Sequence, residues 1–246
     1  MKIIKLDAIN STNTFTRELA KKSEIEDYTI VTTNQQTSGR GQQGNVWESD
    51  PFKNLTFSVF TSLKRLKIND QAYLSFAVSL AVYDSLKSLG IPNLSVKWPN
   101  DIMSGKKKIC GILIENTLFQ KRIKNSVVGI GLNVNQETFS DKHPNASSLK
   151  IIMKKDFSLE PIMHSMVENI KYRILSIEEG AFNKTHKDYL AILYRKDVES
   201  IFNRKNNESA FTGTIIGVSK EGSLQIRMED KTTVTCRLKE VSLVIP

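Results

Sequence analysis

Four short segments of this 246-residue chain carry side chains suited to holding a carboxylate, a phosphate or a base. The longest, Gln36-Thr37-Ser38-Gly39-Arg40-Gly41-Gln42-Gln43-Gly44-Asn45-Val46-Trp47, sets one arginine between glycines. Glycines let main-chain N–H groups come close to an anion. Arginine adds a planar fork of donors for carboxylate or phosphate, and Trp47 a flat face for stacking or a pocket wall. The run contains G-x-G-x-x-G, but the dinucleotide fingerprint needs a helix to start inside the motif, so that a pyrophosphate meets its N-terminus. Here the glycines run on into Asn45, Trp47, Ser49 and Pro51 and then a strand, so a Rossmann reading is rejected. An ordinary surface loop around a buried tryptophan fits the local features equally well.

The second segment, Val96-Lys97-Trp98-Pro99-Asn100-Asp101-Ile102, ends a strand at a proline and leaves Asn100 and Asp101 at the strand end. That is a common place for functional polar groups, although an Asx turn would use the same residues. In the third, Lys106-Lys107-Lys108-Ile109-Cys110-Gly111-Ile112-Leu113-Ile114-Glu115, a lysine run typical of a solvated turn leads into a strand. Lys108 opens that strand, so its ammonium can reach a pocket while Lys106 and Lys107 stay in water. Gly111 removes a side chain where a ligand would approach closely. The fourth segment, Val128-Gly129-Ile130-Gly131-Leu132-Asn133-Val134-Asn135, has two glycines on one strand face. They mark either a bulge or a clearing for a planar group. Asn133 offers a donor and an acceptor together, which suits an adenine edge.

The elements that must position these segments follow from hydrophobic period and punctuation. A strand is expected over 2–9, then a helix over 14–22 capped from Ser11-Thr12-Asn13. A β-rich run over 28–33, a polar loop over 34–51 and a strand over 55–61 follow. Asn69 or Asp70 caps a helix to about Leu89, where Gly90 and Pro92 stop it. Apolar residues wrap most of that helix, so it is expected in the core. Strands over 94–98, 109–118 and 126–130, a loop over 136–150, and amphipathic helices over 158–178 and 181–194 come next. From 211 onward, short strands and tight turns predict a small β-barrel. The expected architecture is α+β: a mixed sheet with helices in a large domain over 1–203, then a small C-terminal β-barrel over 210–246, divided at the polar stretch 203–209.

Composition narrows the classes. Thirty-five basic and 26 acidic residues give a net charge of +9, compatible with an anionic partner or with solvated surface lysines. No apolar run reaches membrane-helix length, and the first residues lack the apolar region of a signal peptide. A cytoplasmic location with no membrane partner is therefore expected. Cys110 and Cys236 lie in apolar alternating segments and are expected to be buried free thiols. His143, His164 and His186 lack metal-ligand spacing, so no fixed protein metal site is expected.

The order of the motifs is more specific than any one of them. Ser-Thr-Asn before a first helix, G-R-G-x-x-G-x-x-W, K-W-P-N-D, K-x-x-G-I-L-x-E and G-x-G-x-N together closely resemble the catalytic core of the biotin–protein ligases, over roughly Ile3 to Asn135. The C-terminal β segment is similar to that family's small closing domain. The resemblance implies ATP-dependent activation of biotin to biotinyl-5'-AMP, with Mg²⁺ on the phosphates. Transfer would follow to a lysine of a biotin carboxyl carrier domain of acetyl-CoA carboxylase or a related carboxylase. It implies that Ser11, Thr12, Asn13 and Gln36 hold the biotin ring, and that Gly39, Arg40 and Gly41 close over biotin and phosphate. Lys108 would bond the activated carboxyl and phosphate oxygens, Trp47, Asn100, Gly131 and Asn133 would surround the adenylate, and Gly111 would lie under the ligand. Asp101 matches an acidic position near the reaction centre, so the catalytic residues implied are Lys108, Arg40 and Asp101.

There are departures from the family's pattern. Gln42 stands where the loop often has a second arginine, and Asn45 where another often precedes the tryptophan. Fewer loop cations imply weaker retention of an anionic adenylate. Many members carry an N-terminal DNA-binding helix-turn-helix. This chain begins at the catalytic core, so neither repressor function nor a DNA partner is expected. A homodimer through an exposed strand edge is compatible with the sequence. A lipoate–protein ligase is a rival of shared chemistry, although Ser11-Thr12-Asn13 favours a hydrogen-bonding ureido ring. A non-enzymatic basic nucleic-acid-binding module is a second rival, disfavoured by the few aromatics of the C-terminal segment.

Overall fold

The computed structural model describes residues 2–204 and 210–245. In chain order its elements are β1 (Ile3–Ile9), α1 (Thr12–Lys22), β2 (Ile30–Gln36), β3 (Leu55–Ser62), α2 (Gln71–Ser88), β4 (Leu94–Lys97), β5 (Asp101–Ser104), β6 (Lys107–Phe119), β7 (Arg122–Leu132), α3 (Leu149–Met153), α4 (Leu159–Glu178), α5 (Phe182–Ala191), β8 (Glu199–Arg204), β9 (Phe211–Val218), β10 (Leu224–Met228), β11 (Thr233–Cys236) and β12 (Val241–Leu243). The architecture is α+β. A seven-stranded mixed sheet runs β1-β2-β3-β7-β6-β5-β4, parallel between β1 and β2 and antiparallel elsewhere.

Period-two alternation gives this sheet two unlike faces. Register pairs Ser58 with Gly129, Leu113 with Gly129, and Gly111 with Gly131, so these residues share one face. Phe57, Val59, Val128, Ile130 and Ile112 alternate with them and enter the hydrophobic core. α2 packs on α4 and α5 in that core. Twelve of the 18 residues of α2 are buried, as its near-continuous apolar surface predicts.

The C-terminal strands form a five-stranded antiparallel sheet in the order β11-β10-β9-β8-β12. Among the described residues no ladder joins the outer strands β11 and β12, so closure into the expected barrel is not detected. β8 was not anticipated, because the exposed Ile201 beside the buried Phe202 blurs its alternation. It joins this sheet from upstream, and most of the expected boundary, at 205–209, lies outside the described residues. The small sheet is fastened to the rest through Trp98, whose Nε1–H donates to Gly222 O at 2.9 Å. His186 Nε2 lies 2.7 Å from Val218 O, and Asp197 N donates to Ile215 O at 2.8 Å.

Local boundaries also shift. α1 starts at Thr12 rather than Thr14, with Ser11 as its cap. Residues 101–104 pair as β5 in a hairpin with β4, a strand that starts directly after the Pro99-Asn100 turn. The 136–150 loop ends in the short helix α3. Both cysteines are free and buried, and burial pushes the Cys110 thiol far up, which removes it as a nucleophile. Among the described residues no helix is long and apolar enough to cross a membrane.

Candidate active site

The polar face of the central sheet forms the floor of a cavity of about 460 Å³, a size suited to a small molecule. Gly111 and Gly131 face each other across β6 and β7, and the Trp47 indole lies on them. A Cβ on Gly131 would come 2.4 Å from Trp47 Cε2, and one on Gly111 would come 3.0 Å from Cζ3. The ladders are regular at these glycines; the one shift between β6 and β7 falls at Thr117/Leu118. The clearing reading therefore holds over the bulge, and the planar group it admits is the protein's own tryptophan. Gly129 serves Asn13 in the same way, since a Cβ there would lie 2.2 Å from Asn13 Oδ1.

At one end of the cavity, the first turn of α1 builds a polar pocket. Thr12 and Asn13 are buried. Thr12 N donates to Gln36 Oε1 at 2.9 Å. Ser58 Oγ lies 2.8 Å from Thr12 Oγ1 and 2.6 Å from Asn13 Oδ1. Asn13 Nδ2 donates to Leu113 O at 3.2 Å and to Glu115 Oε2 at 3.0 Å. Each group fixes its neighbour, so the donors and acceptors are oriented before any ligand arrives.

The glycine loop is folded on itself. Gly41 N donates to Asn45 O at 2.7 Å and Trp47 N to Gly39 O at 2.9 Å, around a single 3₁₀ turn at Gln42–Gly44. No α-helix starts there, in keeping with rejection of the Rossmann reading. A Cβ on Gly39 would meet Trp47 O at 2.2 Å, so this close approach requires glycine. Arg40 donates from Nη2 to Glu115 Oε1 at 3.0 Å, and from Nη1 to Glu115 Oε2 at 3.4 Å and Thr14 Oγ1 at 3.2 Å. Glu115 also pairs with Arg17 Nη1 at 3.1 Å.

At the other end, Asp101 sits between two lysines, with Lys108 Nζ at 2.6 Å and Lys97 Nζ at 3.8 Å. Lys108 Nζ also lies 5.6 Å from the Trp47 ring centroid. Asn100 is tied to β6, donating from Nδ2 to Ile112 O at 2.8 Å. Asn133 donates to Ser147 O at 3.0 Å. Its Oδ1 and the Trp47 Nε1 are buried without a partner, and buried polar atoms are rarely left so. Asn133 lines a second cavity of about 260 Å³, shared with Trp47, Asp101 and Lys108.

Thus Ser11, Thr12, Asn13, Gln36, Arg40, Gly41, Trp47, Asn100, Asp101, Lys108, Gly111 and Gly131 line one cavity. Asn133 lines its neighbour, and Gly39 packs behind Trp47 instead. Ile215, Leu224, Val241 and Leu243 of the small sheet add an apolar wall. Three residues escaped the sequence reading: Lys97, Glu115 and Arg17. Each had a signal. Lys97 opens the hairpin opposite Asp101, Glu115 follows Gly111 and Leu113 at period two, and Arg17 stands one helical turn after Asn13.

The chain is 27% identical over 238 residues to the bifunctional ligase/repressor BirA of Bacillus spizizenii, covering 93% of this chain and 70% of that protein. It is 32% identical over 151 residues to the biotin–[acetyl-CoA-carboxylase] ligase of Mycobacterium tuberculosis, covering 58% of this chain and 54% of that protein. The solved biotin protein ligase of Aquifex aeolicus, in complex with biotin and ATP, superposes with a TM-score of 0.80 at 25% identity, covering 100% of this chain and 99% of that one. A family model described as biotin/lipoate A/B protein ligase matches residues 6–133, just over half of the sequence, and the chain belongs to that family.

Proposed function

We propose that the chain is a biotin–protein ligase, forming biotinyl-5'-AMP from biotin and ATP and transferring the biotinyl group to a carrier lysine. One observation carries the proposal: a single cavity joins a pre-oriented hydrogen-bonding pocket to Lys108 and to the loop cation Arg40. The Aquifex structure, solved with biotin and ATP, supports the same reading. The ureido ring takes the pocket of Ser11, Thr12, Asn13 and Gln36, with Gly39 and Gly41 closing the loop. The chain's acyl end runs over Gly111 towards Lys108. The adenylate lies beside Trp47, Asn100, Gly131 and Asn133, where the unpartnered Trp47 Nε1–H and Asn133 Oδ1 await a ligand acceptor and donor.

In the first step a carboxylate oxygen of biotin bonds the α-phosphorus of ATP, and the bond to pyrophosphate breaks. Both reactants are anionic, so positive charge must offset their repulsion. Lys108 supplies it at the acyl-phosphate, and Arg40 supplies it from the loop. Mg²⁺ carried in with ATP would add further neutralisation of the phosphates. Asp101, the one carboxylate lining the cavity among the described residues, is already engaged by two lysines, so the donor set does not suit a cation held by the protein itself. In the second step the carrier lysine amine attacks the acyl carbon and AMP leaves. Asp101 orients that amine and Lys108 around the acyl group. The loop and the small sheet exclude water from the labile anhydride meanwhile. Gln42 and Asn45 place no cation beside it, which weakens retention.

The carrier is a biotin carboxyl carrier domain of acetyl-CoA carboxylase or a related carboxylase. β1 is an outer strand of the main sheet, and its free edge offers main-chain groups to a strand of the carrier or of a second copy. ATP–pyrophosphate exchange tests the reaction. Exchange is expected with biotin and not with lipoate; exchange with lipoate alone would transfer the protein to the other branch of its family.

A further inference from the structure

Glu115 takes no part in the chemistry proposed above and does not line the main cavity. Yet its carboxylate is the meeting point of three elements. It accepts from Asn13 and Arg17 of α1 and from Arg40 of the glycine loop. Its side chain is only 17% exposed, so these bonds are stronger than surface pairs. The start of the loop is tied down by Thr37 N and Ser38 N to Ile9 O and Asn10 O, but between Gly39 and Trp47 its main-chain hydrogen bonds are internal, so Glu115 is the charged anchor of the Arg40 tip.

Arg40 uses three N–H contacts on Glu115 and Thr14, and a guanidinium has five N–H donors. Two therefore remain for an anion. A lone Arg40–Glu115 pair would offer a phosphate those two donors but no net positive charge. Arg17 changes this, because its charge offsets Glu115 and leaves that of Arg40 uncompensated. Arg17 is itself not on the cavity wall. Its charge is thus felt through Glu115 rather than by contact with a ligand.

Building on the proposed ligase reading, we propose that Glu115 is a positioning residue that orients Arg40 over the acyl-adenylate, and that Arg17 keeps the pair positively charged. Removing either should speed loss of the anionic intermediate without removing a ligand contact.

The test uses the full chain in wild-type form and as E115Q, R17Q, R40Q and E115Q/R40Q, each checked for an unchanged melting transition. Dissociation of preformed biotinyl-adenylate is followed by dilution. E115Q is expected to speed it about tenfold, R17Q about threefold with a weaker dependence on salt, and the double variant no more than R40Q alone. Additive effects of E115Q and R40Q, or an E115Q rate within twofold of wild type, would overturn the proposal. A second readout needs no biotin chemistry: tryptic cleavage after Arg40 in the ligand-free protein. It is expected to be several-fold faster in E115Q, and an equal rate would also overturn the proposal. Wild-type protein that makes no adenylate would instead refute the ligase reading, with the cleavage assay still deciding the role of Glu115. Should E115Q unfold, the R17Q dissociation rate decides alone, and a wild-type value counts against the proposal.

Discussion

Charged clusters in two parts of the molecule are built to opposite stoichiometries. In the helical layer, Arg173 lies between Asp84 at 2.6 Å and Asp188 at 3.1 Å, and Lys184 completes the set at 2.7 Å from Asp188. Cations and anions balance, and the cluster joins α2, α4 and α5. At the cavity the balance is broken twice. Asp101 has two lysines and Glu115 has two arginines. A balanced cluster fixes helices; an unbalanced one leaves positive charge for an anion that is not part of the protein. The two tryptophans divide the same way. Trp98 spends its N–H on Gly222 O, whereas the Trp47 N–H is buried with no partner.

Breaking the cavity clusters should therefore cost activity, and breaking the helical one should cost stability. The largest effect is expected for Lys108→Ala, which removes the charge nearest the proposed acyl-phosphate. Biotin-dependent pyrophosphate exchange should fall by about 10³-fold with little change in unfolding, in the range seen for a lost oxyanion donor. Wild-type exchange would remove Lys108 from the mechanism. Arg173→Met inverts that outcome. It leaves two partly buried aspartates with one lysine and should cost about 2–3 kcal/mol in urea unfolding, less than a fully buried pair because the cluster is partly solvated. Its activity per folded molecule should match wild type. Activity lost in step with kcat rather than folded fraction would contradict the division of labour.

Gly131→Ala comes next. The new methyl would meet the indole at 2.4 Å, so Trp47 must leave its floor. Exchange should fall by roughly tenfold or more, and Trp47 fluorescence should shift towards that of a solvated indole. An unchanged spectrum would mean that the floor yields instead. The smallest effect concerns pH. Burial opposes ionisation of Asp188, but Lys184 and Arg173 outweigh it and hold its carboxyl below the usual range. A carboxyl depressed in the folded state adds stability above its unfolded pKa, and loses it as pH falls through the folded one. Asp188→Asn should flatten the loss of melting temperature below about pH 4, and an equal slope in both proteins would exclude this source of acid sensitivity.

Much of this site was legible in the sequence because motif residues sit on strands whose period is two. Gly129 and Gly131 could be put on one face, and Lys108 at a strand mouth, from alternation alone; that Gly111 lies opposite Gly131 depends on register. The helical core was legible for a like reason: α2 is apolar around most of its surface. What stayed hidden depends on contacts distant in sequence. Nothing local to Glu115 signals that Arg40 and Arg17 converge on it, 75 and 98 residues away. Closure of the C-terminal strands was not legible, because short strands with tight turns look alike in barrels and open sheets; it depends on whether β11 meets β12. β5 and β8 were hidden by their composition rather than their length: β5 starts at Asp101 directly after the Pro99-Asn100 turn, and in β8 the exposed Ile201 beside the buried Phe202 blurs the alternation.

Intact mass spectrometry of a biotin carboxyl carrier domain, incubated with the protein, ATP, Mg²⁺ and biotin, tests most directly whether this cavity makes an acyl-adenylate of biotin and passes it to a protein amine. One biotinyl addition is expected, confined to a single lysine and absent without ATP or with Lys108→Ala. A carrier mass that stays unchanged with biotin, or that rises equally with the Lys108→Ala protein, would contradict the account.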